Sequence, residues 1–553
     1  MQAKFLQKSR YITWLVEKSE SDAGRIAFMA VFSGILQSLV VVIINGAING
    51  LDGEQIGFRY LAMFALCMGG YIYTVHYAIT RSVRTAGSIV YKTQQRLVDK
   101  MRNAGYLDVE TTDKSLIYKN LIESTDIIFE AARALAMALS SVAMLLGSSA
   151  YISSLSLPAF LIVVALNTVG VTVYMKVQKK VNANLAASKE EELSFLNFYK
   201  HLIEGFAEVK MSRKRSDDLF DNYILKTSRR AQNARLTTEN FITRNIIFAQ
   251  SFFYALIGSM VFLVPQFTDG AESNVGQIAA AVLFILGPLG AIIGAVPLVT
   301  KAEYAVKAIE KFEEYLDKAE DHSDTSDEAL LAKKPKFKSI ELRGVEFQYK
   351  EAAENERVFR LGPLDLTIEP NQIVFLLGGN GTGKSTLMKV IAGLYYPKRG
   401  EVLVDGRPLD RRDYAHYREM FATIFASFHT FDRPYGIKNA SEARVNQLLK
   451  EMSLDEVTGF ADGQFTSLNL STGQRKRLAL ATSILEDKPI LLYDEVAADL
   501  DPQFRRHFYE AILPGLKAQG KTVIAVSHDD RFFHLADKVV KLDYGKLADN
   551  GKA

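Results

Sequence analysis

The sequence predicts two domains of different class. An all-α domain with six membrane-spanning helices is expected over residues 1–316. An α/β domain is expected over 337–553, with a linker at 317–336 between them. Three observations carry this reading. At 553 residues the chain is too long for one core. The long uncharged apolar runs all fall in the first 300 residues or so. From Phe337 onward short β-rich runs alternate with helical ones. The averages, 48% hydrophobic and 23% charged, hide that unevenness. A formal charge of +3 gives no reason to expect a nucleic-acid partner. The single cysteine, Cys67, excludes an internal disulfide framework and a thiolate metal cluster.

The first 25 residues are polar and basic, with Lys4, Lys8, Arg10, Lys18 and Arg25. Within them Tyr11-Ile12-Thr13-Trp14-Leu15-Val16 suggests a short helix lying on a membrane surface. Six spans follow by length and lack of charge, at about 26–48, 60–80, 131–153, 158–176, 245–264 and 275–300. The connections at 49–57, 153–157 and 265–274 hold no Lys or Arg, whereas 81–130 and 176–244 are basic. The positive-inside rule therefore expects both termini and both long loops in the cytoplasm. Helical spacing at 82–103 and 183–199 makes those loops extensions of the spans. Their turns are expected near 106–118 and 208–217.

Only His76 and Arg133 are ionisable within the spans. A charge at the bilayer centre costs about 2.5–3.5 kcal/mol, and ion-coupled carriers accept that cost. This chain does not, so its driving energy is expected elsewhere. Gln37, Asn45, Asn167 and Gln250 read as helix–helix contacts before they read as a cavity lining. Pro288 and Pro297 predict kinks in the last span.

The α/β domain carries the chemistry. Gly378-Gly379-Asn380-Gly381-Thr382-Gly383-Lys384-Ser385-Thr386 follows the apolar run Ile373-Val374-Phe375-Leu376-Leu377 and opens an amphipathic helix. Strand, glycine-rich loop and helix together form a phosphate cradle. The glycines let N–H groups close on phosphate oxygens, and the helix aims its positive end at them. Lys384 can reach the β- and γ-phosphates, and Ser385 offers a hydroxyl to Mg²⁺. Ile490-Leu491-Leu492-Tyr493-Asp494-Glu495 reads as a buried strand ending in two carboxylates. Asp494 is placed to hold Mg²⁺ and Glu495 to act as general base. The strand Thr522-Val523-Ile524-Ala525-Val526 leads to His528, a candidate to orient water and the γ-phosphate. Ser471-Thr472-Gly473-Gln474 opens a helix suited to a γ-phosphate. Tyr349 stands where a ring can stack on adenine. Asp501, beyond the carboxylate pair, is a candidate contact across a dimer.

This set and its order resemble the ATPases of ABC transporters, from Phe337 to the C-terminus. The six-span half before it resembles the exporter subclass. The resemblance implies an ABC exporter-type transmembrane domain, its helices extended into the cytoplasm, plus an α/β P-loop nucleotide-binding domain. It implies ATP and Mg²⁺ as cofactors. It also implies a homodimer in which Ser471–Gln474 of one copy closes the ATP site of the other. A narrower resemblance to cyclic-peptide exporters of the syringomycin- and pyoverdine-secretion type rests on four stretches. These are Asp494 to Pro502 with Phe504-Arg505-Arg506 and Phe508-Tyr509, Ser527 to Phe533, Ser471 to Arg477, and Ile203 to Lys210. It implies export of a cyclic or compact peptide, or a siderophore precursor, through a bacterial inner membrane. A lipid or hydrophobic-drug exporter of the same fold is the alternative. An ATP-gated channel or regulator is a third reading, disfavoured by intact Lys384, Asp494, Glu495 and His528.

Two positions depart from the family pattern. Aligning Phe425-Ala426-Ser427-Phe428-His429-Thr430-Phe431-Asp432 puts Ala426 where the family has a glutamine. Ser427 or His429 is the candidate substitute. Thr472 replaces a commoner glycine.

Overall fold

The computed structural model describes residues 9–19, 22–49, 58–111, 124–262, 275–319, 321, 337–349, 359–437 and 440–548. The predicted linker beyond 321, and residues 112–118 of the first predicted turn, lie outside these. Two compact units emerge: residues 1–98 with 114–314, and residues 99–113 with 315–553.

The first unit is all helix. Helix α1 spans Arg10–Lys18, α2 Asp22–Asn49 and α3 Phe58–Arg102. After the short α4 (Tyr106–Thr111), which belongs to the second unit, come α5 (Ser124–Leu155) and α6 (Leu157–Glu204). Two six-residue helices follow, α7 (Phe206–Met211) and α8 (Arg213–Asp218). They form the turn expected near 208–217. A π-helical turn, Leu219–Ile224, leads into α9 (Leu225–Phe262), and α10 spans Val275–Lys318. Among the described residues six helices are long and apolar enough to cross a membrane. At 1.5 Å per residue the 45 residues of α3 run about 68 Å, roughly twice a hydrocarbon core. Helix α10 is continuous through Pro288 and Pro297.

Small residues set how closely these helices approach. A Cβ on Gly34 of α2 would sit 2.0 Å from the Ser140 carbonyl oxygen of α5. One on Gly147 would sit 2.3 Å from Ser38 Oγ. Between them Ser33 Oγ and Ser140 Oγ share a hydrogen bond of 2.6 Å. Helices α6 and α9 meet where Gly170 faces Phe252 and Asn245 Nδ2 donates to Gln178 Oε1 at 3.3 Å. Asn45 Nδ2 donates to the Gln277 carbonyl at 3.1 Å, so it is a helix–helix contact. Large side chains such as Phe28, Leu66 and Leu146 point outward. Such a surface suits lipid.

Helix α1 forms as expected, and it also packs against the rest of its unit. Tyr11 and Trp14 are buried, Tyr11 Oη donates to the Ile128 carbonyl at 3.1 Å, and Arg10 pairs with Glu310 at 2.6 Å. The Tyr11 ring gains from packing where its hydroxyl finds a partner, whereas the buried Trp14 Nε1 has none.

The second unit is α/β. Strands β1 (Ile340–Gln348) and β2 (Arg360–Ile368) join β4 (Arg399–Val404) and β5 (Arg407–Pro408) in an antiparallel sheet, order β2-β1-β4-β5. A six-stranded sheet has the order β12-β11-β3-β10-β9-β6. Its parallel members are β3 (Ile373–Leu377), β6 (Phe421–Ile424), β9 (Ile490–Tyr493), β10 (Thr522–Val526) and β11 (Lys538–Asp543). The short β12 (Lys546–Leu547) pairs antiparallel. Alternate residues of β3 enter different cores: Val374 and Leu376 one, Ile373 and Phe375 the other. Burial on both faces explains why this strand reads as an unbroken apolar run. Helix α11 (Lys384–Ile391) follows β3, and α12 (Tyr414–Arg418) precedes β6. Helices α13 (Glu442–Glu451) and α14 (Thr472–Leu485) pack on the second core, with α15 (Pro502–His507) and α16 (Leu513–Ala518) after β9.

The second unit takes in two stretches ahead of residue 317, 99–113 and 315–316. Residues 99–113 lie within the expected membrane domain in sequence, yet they belong to the α/β unit. The cause is packing: Tyr106 and Leu107 of α4 lie against the core formed by β1, β2 and α11.

Gly34→Val is expected to cost about 1–3 kcal/mol by overpacking, read as a lower melting temperature of the full chain in detergent. Gly69 has open space around its Cα, so Gly69→Val is expected to melt like the parent. Equal melting of the two variants would refute the close-packed α2–α5 seam.

Candidate functional site

The site grows from three neighbouring strand ends. Strand β10 pairs with β3 and with β9, register Val526↔Leu376 and Ala525↔Tyr493. The loop after Leu377, the pair Asp494-Glu495 and the pair Ser527-His528 therefore leave the sheet at one edge. Ligands of open parallel sheets sit at that carboxyl edge.

The loop after β3 keeps its shape by backbone means. Gly378 has φ +150°, and a Cβ there would meet the Leu542 carbonyl oxygen at 2.5 Å. Gly383 has φ +100° and packs under Phe359. Lys384 is buried, and its Nζ donates to the carbonyls of Gly378 and Gly379 at 2.9 Å each. Thr382 Oγ1 donates to the Gly379 carbonyl at 2.9 Å. One cleft of about 540 Å³ is lined by Tyr349, Phe359, Asn380, Gly381, Gly383, Lys384, Ser385, Thr386 and Glu495. Tyr349 Oη hydrogen-bonds Thr386 Oγ1 at 3.1 Å, which ties the predicted adenine ring platform to helix α11. Phe359 adds a second ring. It follows an unpatterned stretch and gave no signal in the sequence.

Asp494 is 1% exposed, and its Oδ1 has no hydrogen-bond partner. Burial pushes its pKa up. The Ser385 side chain counteracts this, Glu495 adds to it, and the Ala426 N–H counteracts it again. A desolvated carboxylate with an orphan oxygen beside a hydroxyl fits a hard divalent cation such as Mg²⁺. Among the described residues no cluster of three or more His, Cys, Asp or Glu offers a self-sufficient metal site. A cation here would complete its shell from phosphate oxygens and water.

Glu495 occupies the left-handed region, φ +53° and ψ +33°. That conformation costs a non-glycine residue about 1–3 kcal/mol and persists only when its surroundings enforce it. Its Oε1 lies 3.3 Å from His528 Nε2. A second cavity of about 270 Å³ borders the same pair and is lined also by Arg505, Tyr509 and Arg531. Arg505 donates to the carbonyls of Ala497, Ala498 and Leu500 at 3.1 Å each, which fixes the loop after Glu495.

Not every expected residue gathers here. Ser471, Thr472, Gly473 and Gln474 do not line the cleft. They form the start of α14, where Ser471 and Gln474 make a reciprocal capping box. Asp501 is engaged within its own chain. It caps α15 through the Phe504 N–H at 2.9 Å and pairs with Arg477. The Phe504 N–H and Arg477 hold its carboxyl below the usual range. In the loop that lacks a glutamine, Ser427 and His429 are exposed, and His429 stands edge-on to Phe431 at 4.9 Å. From this loop, the Ala426 backbone N–H helps to hold the Asp494 pKa down.

Helix α4 contributes a contact the sequence did not announce. Glu110 accepts from Lys389 Nζ at 2.6 Å and from Tyr395 Oη at 2.5 Å. Tyr395 stacks on Phe347 at 4.6 Å and meets Tyr349 edge-on at 5.8 Å. Contacts therefore run from Glu110 through Tyr395 and Tyr349 to Thr386. Burial raises the Glu110 pKa, but hydrogen bonds from Lys389 and Tyr395 more than offset it, leaving it below the usual range.

The sequence pattern of the family described as ABC transporter matches residues 361–498. The chain is similar to the ATP-binding protein SyrD of Pseudomonas syringae pv. syringae. The two are 31% identical over 548 residues, covering 94% of this chain and 92% of the relative. It is also similar to an ATP-dependent lipid A-core flippase of Alcanivorax borkumensis, 25% identical over 68% of this chain and 64% of the relative. A flippase of that description from Cupriavidus metallidurans is 32% identical over 37% of this chain and 36% of the relative.

Two outcomes test the geometry. A lowered carboxylate pKa contributes stability above the unfolded value of about 4.3 that is lost as pH falls through the folded value. Glu110→Gln is therefore expected to melt below the parent at about pH 7, with the gap closing below about pH 4. A gap that does not change with pH would refute the ion pair. A raised carboxylate pKa destabilises the charged native state. Asp494→Asn is expected to melt above the parent in EDTA and below it in Mg-ATP; failure of that reversal would refute the cation assignment.

Proposed function

The chain belongs to the ABC transporter family, and on that premise we propose that two copies work together to export a cyclic or compact peptide, or a peptide siderophore precursor. The coarser statement stands on the family: this is an integral membrane protein, an ATP-binding exporter that hydrolyses ATP. The observation that supports the hydrolytic mechanism is Glu495, placed in the cleft with Lys384 and Ser385 while hydrogen-bonded to His528.

In this reading the N–H groups of Gly379 to Thr386 and the Lys384 ammonium bind the phosphates. Tyr349 holds the adenine. Glu495 takes the proton of the attacking water, and His528 orients both carboxylate and γ-phosphate. Asp494 and Ser385 hold Mg²⁺, which when bound neutralises charge on the β- and γ-phosphate oxygens. The capped start of α14 offers N–H groups, a serine and a glutamine, but it does not line its own chain's cleft. That supports the homodimer: Ser471–Gln474 of one copy closes the site of the other. Asp501, committed to α15 in its own chain, then acts by shaping the loop between the sites.

The full-length match to SyrD supports the peptide cargo, together with the resemblance of residues 494–509 and 527–533 to cyclic-peptide exporters. A lipid cargo is the second reading, supported by the flippase matches, which cover less of the chain. Both place the chain in a bacterial inner membrane with its termini in the cytoplasm, as the basic loops favour.

Glu495→Gln is expected to bind ATP, lose turnover by about 10²–10⁴, and persist as an ATP-dependent dimer on size exclusion. Near-parental turnover would sink the base assignment. Proteoliposomes separate the cargoes: ATP-dependent uptake of a cyclic lipopeptide into inside-out vesicles supports the peptide reading. Translocation of labelled lipid with no peptide flux would replace it.

A further inference from the structure

Lys476 has no role in the chemistry described so far, yet it is one of the most buried cations in the chain, 5% exposed. A buried ammonium is tolerated only where acceptors replace its water. Lys476 Nζ has two. It donates to the backbone carbonyl of Glu495 at 2.7 Å and pairs with Asp499 Oδ2 at 2.7 Å. One acceptor belongs to the residue assigned as base. The other belongs to the loop that follows it.

The lysine sits in the second turn of α14, whose capped start is Ser471–Gln474. The first turn touches the same loop: a Cβ on Gly473 would lie 2.8 Å from the Asp499 carbonyl oxygen. The helix therefore grips the loop twice, once by close backbone approach and once through Lys476. Glu495 is the residue in this loop with a left-handed backbone. Its carboxylate is held by His528 and its carbonyl by Lys476, so its two ends are fixed from different elements.

We propose that Lys476 is a positioning residue that ties the start of α14 to the backbone of Glu495, so that a γ-phosphate engaging Ser471–Gln474 sets the base of the same chain for hydrolysis. The inference rests on the two-copy reading above. In that arrangement the γ-phosphate at α14 belongs to the other copy's ATP. Lys476 then makes one site's occupancy felt at the other site's base. A lysine suits this task because its compact charge reaches a carbonyl and a carboxylate together from one flexible stem.

The test uses the full chain in detergent or nanodiscs with Mg-ATP. Lys476→Met is expected to keep ATP binding and KM within about twofold while kcat falls by about tenfold or more. The Hill coefficient for ATP falls toward unity. Lys476→Arg, which keeps a donor for both acceptors, recovers most of kcat. Asp499→Asn, at the far end of the link, lowers the Hill coefficient with a parental melting temperature, and it decides the matter if Lys476→Met folds poorly. Unchanged kcat in Lys476→Met overturns the proposal. So does a loss of kcat that comes with lost ATP binding and is not recovered by arginine. If the parent hydrolyses ATP without cooperativity and Glu495→Gln stays monomeric in ATP, the two-copy reading fails and the link between sites fails with it. If the parent is a cooperative dimer and Lys476→Met matches it, the proposal alone fails.

Discussion

Strand β10 lies between β3 and β9, and the chemistry rests on that pairing. Parallel neighbours stand about 4.8 Å apart. The phosphate loop, the Asp494-Glu495 pair and His528 therefore emerge side by side without any loop having to bridge them. The register is enforced from both faces. Leu492 and Ile490 feed one core, and Leu491 and Tyr493 the other. A slip of one residue would exchange these sets and turn every side chain of β9 to the wrong face. Core packing and site geometry are thus one constraint.

That edge is held in a state it would not choose alone. Glu495 is left-handed, Asp494 is desolvated with an orphan oxygen, and Gly378 and Gly383 take conformations closed to most residues. Apart from the orphan oxygen of Asp494, these features are braced by neighbours. His528 and Lys476 hold Glu495, Arg505 holds the loop behind it with three carbonyl bonds, and Lys384 braces the phosphate loop from within. Donors and acceptors placed before substrate arrives need no reorganisation during the reaction.

Local signals were legible because they are local. The glycine loop, the apolar runs of β3, β9 and β10, and the apolar stretches of the six long helices each lie within a few dozen residues. The helices themselves run well past those stretches, as α3 and α6 show. What the sequence hid depends on distant partners. Glu110 meets Lys389 across 279 positions, and no periodicity marks such a pair. Lys476 reads as one more basic residue after Gln474 until burial and two acceptors single it out. Asp501 was singled out for its place after Glu495, and its carboxylate proved to be a helix cap. In the loop without a glutamine, side chains were the natural candidates, yet a backbone N–H also bears on the Asp494 pKa. Such a group is invisible in a sequence because every residue but proline carries it.

The membrane helices follow a related logic. Three of their polar contacts join helices: Ser33 with Ser140, Gln178 with Asn245, Asn45 with the Gln277 carbonyl. Where Gly34 and Gly147 bring α2 against α5, even a methyl group would collide. Seams this tight resist sliding within a pair, since a shifted register would drive side chains into the space the glycines leave. Packed interfaces of this kind switch between discrete arrangements and do not deform smoothly. The seams are not isolated pairs, because one buried core joins Val41 of α2, Met144 of α5, Val163 of α6, Leu256 of α9 and Ile278 of α10. With His76 and Arg133 as the ionisable side chains of its predicted spans, this bundle holds little with which to couple to an ion gradient.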